Sequence, residues 1–454
     1  MPKIGLEIHG YLLTEEKLFC DCKSEHGIKF TKPNTNICPI CTGQPGSKPM
    51  LPNEEAVKKS VQVSLVLGCK INQNTPWMRK HYSWPDLPKG YQNTLSGPYA
   101  VPTGSDGKFL GIKIRECHLE EDPAAWNPET GEIDYNRSGS PLIEIVTDPD
   151  FSSSEQVGEW LKQLVETLWY MKLLDKSSGI KSDVNVSLPE KNGERIEIKN
   201  VNSIENIKRA IETEIKRQSK EVPKEKETRR YDDKKNTTTK MRSKENAEDY
   251  RFISEPDLPL IQFEKKYLIE IEKNLPETPT KKIEKIIKKH KLSKYDAEVL
   301  TKNLDIVEFF EKVAEKVNIK LAVSWVTVEL KRLLNYANKE LDEVDIKPEH
   351  FIELLELVEK EIITELKAKE ILNKFIPKSF SPKEIAEQNK KISSENEIEK
   401  IAKKAISENE KAVLDYKSGK KESINFLIGQ VMKMSNKRAD FKTAKEVIEK
   451  LISK

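Results

Sequence analysis

Pro141-Leu142-Ile143-Glu144-Ile145-Val146 sets one glutamate in the middle of an apolar, strand-like run. Two other stretches do the same with several ionisable groups: Gly5-Leu6-Glu7-Ile8-His9-Gly10 and His118-Leu119-Glu120-Glu121-Asp122. Ionised side chains avoid such surroundings unless they are paired or bind a metal. If the three segments meet in the fold, they line a cation site with oxygen and nitrogen, which suits phosphoryl chemistry. Glu7 and His9 are two residues apart, so a strand sends both to one face and Leu6 and Ile8 to the other. A carboxylate with an imidazole suits Mg²⁺ or Mn²⁺; the alternative is an ordinary half-exposed strand. Glu120 and Glu121 are adjacent, so they point to opposite faces and only one of them is a ligand. For Glu144 the alternative is a buried salt bridge.

Further along, Lys181-Ser182-Asp183-Val184-Asn185-Val186-Ser187-Leu188 alternates polar and apolar residues, and so does Arg195-Ile196-Glu197-Ile198-Lys199-Asn200. The spacing predicts a hairpin with a three-residue loop, Lys191 to Gly193, and Gly193 left-handed. That register pairs Asn185 with Lys199 and Ser187 with Glu197 on a polar face. It pairs Val186 with Ile198 and Leu188 with Ile196 on the apolar face. The polar face is either a solvated surface or the floor of a polar site.

Two basic, aromatic stretches stand beside these strands. Residues 79–92 are dense in charge, aromatics and proline, from Arg79-Lys80-His81-Tyr82 to Lys89-Gly90-Tyr91-Gln92. They predict a stiff loop, either functional or a surface loop held by stacked rings. Residues 227–257 hold Arg229, Arg230, Tyr231, Arg242, Lys244, Tyr250, Arg251 and Phe252. Arginines beside aromatics grip phosphates bidentately, or simply make a solvated face. No glycine-rich phosphate loop is present, so a nucleotide would rely on arginines, lysines and a metal.

Cys20-Asp21-Cys22 and Cys38-Pro39-Ile40-Cys41 are two close pairs with the spacing of a tetrahedral four-thiolate zinc site. Four thiolates leave no open position, so the role is structural; Cys69 and Cys117 read as buried apolar residues. The 454 residues carry 34% charged side chains and a net charge of +3, with a mean hydropathy of −0.65. This composition predicts a soluble, cytoplasmic chain of several domains with no membrane span and no signal peptide.

The distribution of residue types predicts an α+β fold in three parts. Residues 1–273 form a large mixed-sheet domain carrying the cysteine element at 20–41. Residues 274–380 form a helical domain, rich in Lys, Glu, Leu and Ile at helical spacing. Residues 381–454 form a small all-α tail. It opens with Ser381 as a helix cap and Pro382 in the first turn, and it ends in an amphipathic stretch from Phe426 to Ile452. Lys403, Lys404, Lys417, Lys420, Lys421, Lys433, Lys437 and Arg438 give the tail a basic character suited to an RNA backbone, or to plain solvation.

These motifs, with Lys17-Leu18-Phe19-Cys20, Asp134-Tyr135-Asn136-Arg137-Ser138-Gly139, Glu227-Thr228-Arg229-Arg230, Met241-Arg242-Ser243-Lys244-Glu245, Glu255-Pro256-Asp257-Leu258-Pro259 and Phe426-Leu427-Ile428-Gly429-Gln430, resemble the GatB family, the B-type components of aspartyl/glutamyl-tRNA amidotransferases. The resemblance extends over essentially the whole chain. It implies a cradle-like domain related to the glutamine synthetase catalytic fold, and a carbon–nitrogen ligase that takes its amide nitrogen from glutamine. ATP and Mg²⁺ would activate the side-chain carboxylate of misacylated Glu-tRNA(Gln) or Asp-tRNA(Asn) as an acyl phosphate. Ammonia from an A-type amidase partner, assembled with a small C-type partner into a heterotrimer, would then displace the phosphate. The resemblance ranks His9, Glu121 and Glu144 first as Mg²⁺ ligands, with Glu7 and Glu120 next. It makes Glu121, Glu144 and Lys80 catalytic, with Lys80 lining the ammonia route. Arg79, Lys89, Tyr91, Asp183, Asn185, Glu197, Lys199, Arg229 and Arg242 are candidates for the substrate and ATP pocket. The related archaeal E-type protein carries an inserted domain too large for 454 residues, and a non-catalytic zinc-containing tRNA scaffold is the other alternative.

Overall fold

The computed structural model describes residues 1–24, 31–243 and 250–453, without the side chains of Arg242 and Ser243. Lys244 and Glu245 lie outside the described residues. The chain forms two compact units, Met1–Thr278 and Pro279–Lys454.

The first unit is built on a twelve-stranded sheet among the described residues. Its main path runs Thr237–Ser243, Glu227–Asp232, Ile196–Asn202, Ile180–Ser187, Lys3–Tyr11, Pro141–Thr147, Ile112–Glu121, Gln92–Thr94, Met78–His81 and Arg251–Ser254. Two further strands, Gly104–Phe109 and Lys70–Ile71, branch from Ile112–Glu121. One neighbouring pair, Ile196–Asn202 with Glu227–Asp232, is parallel; the other pairs are antiparallel, so the sheet is mixed as expected.

Alternation decides the faces. Leu6, Ile8, Ile143, Ile145, Val184, Val186, Ile196 and Ile198 are each at most 2% exposed and share one face. Each such burial contributes about 1.5–3 kcal/mol. The helix Ile204–Lys220 packs over the strands Ile180–Ser187, Ile196–Asn202 and Thr237–Ser243, and Ser154–Tyr170 packs against that helix. Both helices start on a serine: Ser153 accepts the Gln156 N–H and Ser203 the Asn206 N–H. The other face of the central strands carries Glu7, His9, Glu144, His118 and Asp183.

The hairpin forms with its two faces as expected but in a different register. Asn185 lies opposite Glu197, and Val184 and Val186 lie opposite Ile198 and Ile196. The expected pairs were two residues further along. The cause is the connection: Pro189–Lys191 winds into a 3₁₀ turn, and Asn192 rather than Gly193 takes the left-handed conformation, at φ 51°. Glu194 N–H then bonds Pro223 O instead of the partner strand. A shift of two keeps every side chain on its face.

The second unit is helical. Ile319–Ser324 continues through a π turn, Trp325–Leu330, into Lys331–Ala337, and Pro348–Glu359 and Glu365–Leu372 follow. Towards the C-terminus, Glu395–Ser407, Ser423–Met434 and Phe441–Ser453 bury Ile398, Leu427, Ile428, Val431, Val447 and Ile448 in a core of their own. The stretch expected as one amphipathic run, Phe426 to Ile452, is two helices parted by Asn436 and Lys437, both at positive φ. Ser381 does not cap a helix. Its hydroxyl donates to Glu353 Oε2 at 2.5 Å, and the helix Lys383–Ala386 has no side-chain cap. No helix among the described residues is long and apolar enough to cross a membrane.

Candidate active site and metal centres

His9, Glu144 and His118 stand in one row across three neighbouring strands, because His9 pairs with Glu144 and Glu144 with His118. Glu144 Oε2 lies 3.3 Å from His9 Nε2 and 3.2 Å from His118 Nε2. Glu120, two residues beyond His118 and so on the same face, brings Oε1 to 3.9 Å from His9 Nε2. One ligand atom each from His9, Glu120 and Glu144 falls within 4.8 Å of the others. Among the described residues, the buried Glu120 Oε2 has no hydrogen-bond partner, while the His118 ring lies between Glu116, 3.3 Å from its Nδ1, and Glu144. An unsatisfied buried oxygen converging with a second carboxylate and an imidazole fits a hard divalent cation such as Mg²⁺.

The electrostatics point the same way. Burial opposes the charge on Glu144, but the His118 and His9 rings outweigh it and hold its carboxyl well below the usual range. Burial likewise opposes protonation of the two rings. Glu144 above all, joined at His118 by a hydrogen bond to Glu116 and at both rings by Glu120, nevertheless lifts His9 to about 9 and His118 to about 10. Glu120 is raised by burial and by the Glu144 charge. Without a metal, then, the site draws protons to balance its acids. Lys80 adds a cation at the rim. Burial works against its charge, while Glu120 and Glu144 favour it, and its Nζ sits 5.0 Å over the Tyr250 ring.

A second acidic group adjoins the first. Glu7, Asp183 and Glu197 also bring one oxygen each within 4.8 Å of one another. Asn185 Nδ2 donates to Glu7 Oε1 at 3.1 Å, and Lys199 Nζ reaches Asp183 at 2.9 Å and Glu197 at 3.2 Å. Three carboxylates against one lysine leave net negative charge. Burial, then Glu144, Asp183 and Glu197, push Glu7 up to about 7. This group too fits a divalent cation. The polar face of the hairpin is therefore part of the candidate site's wall.

Other sequence candidates sit elsewhere. Glu121 turns to the opposite face from Glu120, as adjacent strand residues must. Its carboxylate takes Lys89 Nζ at 2.5 Å and the Asn93 N–H at 2.9 Å. Arg79 is on that side as well. It forms a two-pronged bond to Glu255, at 2.8 and 2.7 Å, and lies 4.5 Å over the Tyr91 ring. So Glu121, Arg79, Lys89 and Tyr91 gather away from the row of His9, Glu144 and His118, and Glu120 takes the place first given to Glu121. Arg229 is tied to Glu227 at 2.7 Å and to the fully buried Glu214 on the helix side at 3.7 Å. Arg242 lies on the edge strand opposite Thr228, and its side chain is outside the described residues. His118 was not among the sequence candidates. The rule that paired Glu7 with His9 also pairs His118 with Glu120, and it would have found it.

Cys20, Cys22, Cys38 and Cys41 bring their sulfurs within 4.8 Å of one another, with Cys20 and Cys41 buried. A hydrogen bond from the Cys20 thiol, and a backbone bond behind it, lower Cys41 to about 5 even against burial. A compact four-sulfur donor set with one sulfur ready as thiolate fits tetrahedral zinc.

A sequence model of the GatB/GatE catalytic domain matches residues 2–269, and one of the GatB domain matches residues 308–452. The B component of the aspartyl/glutamyl-tRNA(Asn/Gln) amidotransferase of Methanocaldococcus jannaschii is 42% identical over 469 aligned positions, covering 100% of this chain and 98% of the relative. Its counterparts in Methanopyrus kandleri and Methanothermobacter thermautotrophicus are 42% and 41% identical, covering 96% and 99% of this chain and 96% and 100% of their own lengths. With its length matched by two family domains and by relatives well above 30% identity, the chain belongs to the GatB family, the B-type components of the tRNA-dependent amidotransferases.

Proposed function

We propose that this chain activates the side-chain carboxylate of misacylated Glu-tRNA(Gln), Asp-tRNA(Asn) or both by ATP-dependent phosphorylation, and then directs ammonia onto the acyl phosphate. The convergence of His9, Glu120 and Glu144 on one polar sheet face carries this reading, because a scaffold gains nothing from burying such groups at the cost of their hydration. A carboxylate is a poor acyl donor; attack of its oxygen on the γ-phosphorus expels ADP and gives it a leaving group. His9, Glu120 and Glu144 would hold one Mg²⁺, and Glu7, Asp183 and Glu197 a second, in a cradle of the glutamine synthetase kind. When bound, such ions neutralise charge on the phosphates. Lys199 keeps Asp183 and Glu197 in place, and Asn185 orients Glu7. Lys80 offers a cation to the anionic oxygens beside Glu120 and Glu144. Ammonia then attacks the acyl carbon, phosphate leaves, and the amide forms. An A-type amidase and a small C-type protein are the proposed partners, with ammonia released from glutamine by the amidase.

Reconstituted with its A-type and C-type partners, the chain should convert at least one of the two misacylated tRNAs to its amide, with ADP formed in step. Binding of tRNA without ADP release on either substrate would overturn the proposal in favour of the scaffold. The tail is proposed to hold tRNA. Among the described residues, Lys383, Lys390, Lys391, Lys403, Lys404, Lys420, Lys437 and Lys450 of the tail are engaged in ion pairs, so the phosphate contacts fall mainly to the rest. Deleting residues 401–454 should raise the KM for tRNA about tenfold or more and leave glutamine hydrolysis in the complex unchanged; an unchanged KM would refute the assignment.

A further inference from the structure

Lys17 is 1% exposed, the most buried lysine among the described residues. The next two, Lys367 and Lys59, have carboxylates near them, Glu370 at 2.9 Å and Glu55 at 3.6 Å. Lys17 has none among the described residues. Its Nζ donates to two backbone carbonyls, Asn36 O at 3.1 Å and Tyr135 O at 3.3 Å. Carbonyl dipoles solvate an ammonium but do not cancel its charge, and a buried uncancelled charge is costly.

The candidate countercharge is the four-sulfur group of Cys20, Cys22, Cys38 and Cys41. Lys17 N–H bonds Cys22 O at 2.9 Å. Its stem and Cys41 both border Gly139: a methyl built there would meet Cys41 Cβ at 3.7 Å and Lys17 Cδ at 3.8 Å. Four thiolates around one Zn²⁺ carry a net charge of −2, so the metal–thiolate group and the ammonium each supply what burial of the other requires. The same residues reach the sheet. Ser138 Oγ donates to Cys41 O at 2.7 Å, Leu18 N–H to Gly139 O at 2.8 Å, and Gly139 N–H to Asp122 O at 2.9 Å. Arg137, in the loop between them, pairs with Asp122 at 2.9 Å, one residue from Glu121.

We propose that Lys17 is a positioning residue of the metal centre: its buried ammonium balances the Cys20, Cys22, Cys38 and Cys41 thiolates around zinc and ties that centre to the loop 134–140 beside the sheet. This rests on the zinc reading of the four cysteines. In the full-length chain, zinc is first quantified by elemental analysis. One equivalent is expected; none would overturn the zinc reading and the proposal with it. Zinc transfer to a chromophoric chelator is then timed in Lys17→Met and Lys17→Arg. The methionine variant should release zinc at least tenfold faster, and the arginine variant within about threefold of the parent. Equal retention by Lys17→Met would overturn the role of Lys17 while leaving the zinc reading intact.

A thermal-melt cycle separates charge from packing. Lys17→Met should lower Tm when the four cysteines are present. It should raise Tm when all four are serine, because the lysine is then a buried charge without a partner. An equal fall in both backgrounds would show a packing role only and overturn the proposal. If Lys17→Met with intact cysteines does not fold, the sign of the shift in the all-serine pair decides alone.

Discussion

Glu144→Gln should cut ATP-dependent amide formation on misacylated tRNA by about 10³-fold, roughly 4 kcal/mol of transition-state stabilisation. Glu144 is the carboxylate shared by His9 and His118, at 3.3 and 3.2 Å, and it belongs to the His9–Glu120–Glu144 group. Glutamine keeps the shape and removes the charge that both imidazoles and a cation need. Melts in chelator test the electrostatic side. His9 and His118 have folded-state values of about 9 and 10, above the unfolded 6.5. Their pairing therefore stabilises fully below about pH 6.5 and is lost as pH rises through 9 to 10. The Tm deficit of Glu144→Gln should be largest near pH 6 and shrink towards pH 10. Full activity in this variant would sink the assignment, and a deficit that grows with pH would contradict the charge pattern.

Glu120→Gln and Glu121→Gln should separate cleanly although the two positions are neighbours. Glu120 faces the cation site with a raised carboxyl and an unsatisfied oxygen. Its amide should cost about 10³-fold in ADP release driven by misacylated tRNA and leave Tm nearly unchanged in chelator. Glu121 is held on the other face by Lys89. Its amide strands a largely buried ammonium, and breaking such a pair costs about 3–5 kcal/mol. Chemical denaturation should show that loss, while ADP release per folded molecule stays within about tenfold of the parent. If Glu121→Gln abolishes ADP release without loss of stability, the roles of the two glutamates are reversed.

What the chain discloses before it folds depends on distance along it. The four cysteines were readable because each pair makes its own tight turn, and the polar face of the hairpin because alternation is local. Glu144 stood out for its apolar neighbours alone. The choice between Glu120 and Glu121 needed a partner strand: only the pairing of His118 with Glu144 says which side is the site. The hairpin register failed for a similar reason, since the bond from Glu194 to Pro223 reaches far beyond the turn. The ion pairs that draw Arg229 towards the helix Ile204–Lys220, and Arg79 towards Glu255, join residues far apart in sequence. An arginine beside aromatics reads the same whether it grips a phosphate or a buried glutamate.

The displaced hairpin register carries a lesson about change by insertion. The 3₁₀ turn at Pro189–Lys191 moved the strand Ile196–Asn202 by two positions relative to the simplest turn, and Glu197 still joined Glu7 and Asp183. Register there behaves like a parity bit. A slide of two re-pairs the acids without turning them away, whereas a slide of one would rotate Glu197 and Lys199 under the helix and lift Ile196 and Ile198 into the polar cleft. A residue gained within the connection, where Glu194 already bonds Pro223 and not the partner strand, can be taken up there with the strand pairing unchanged.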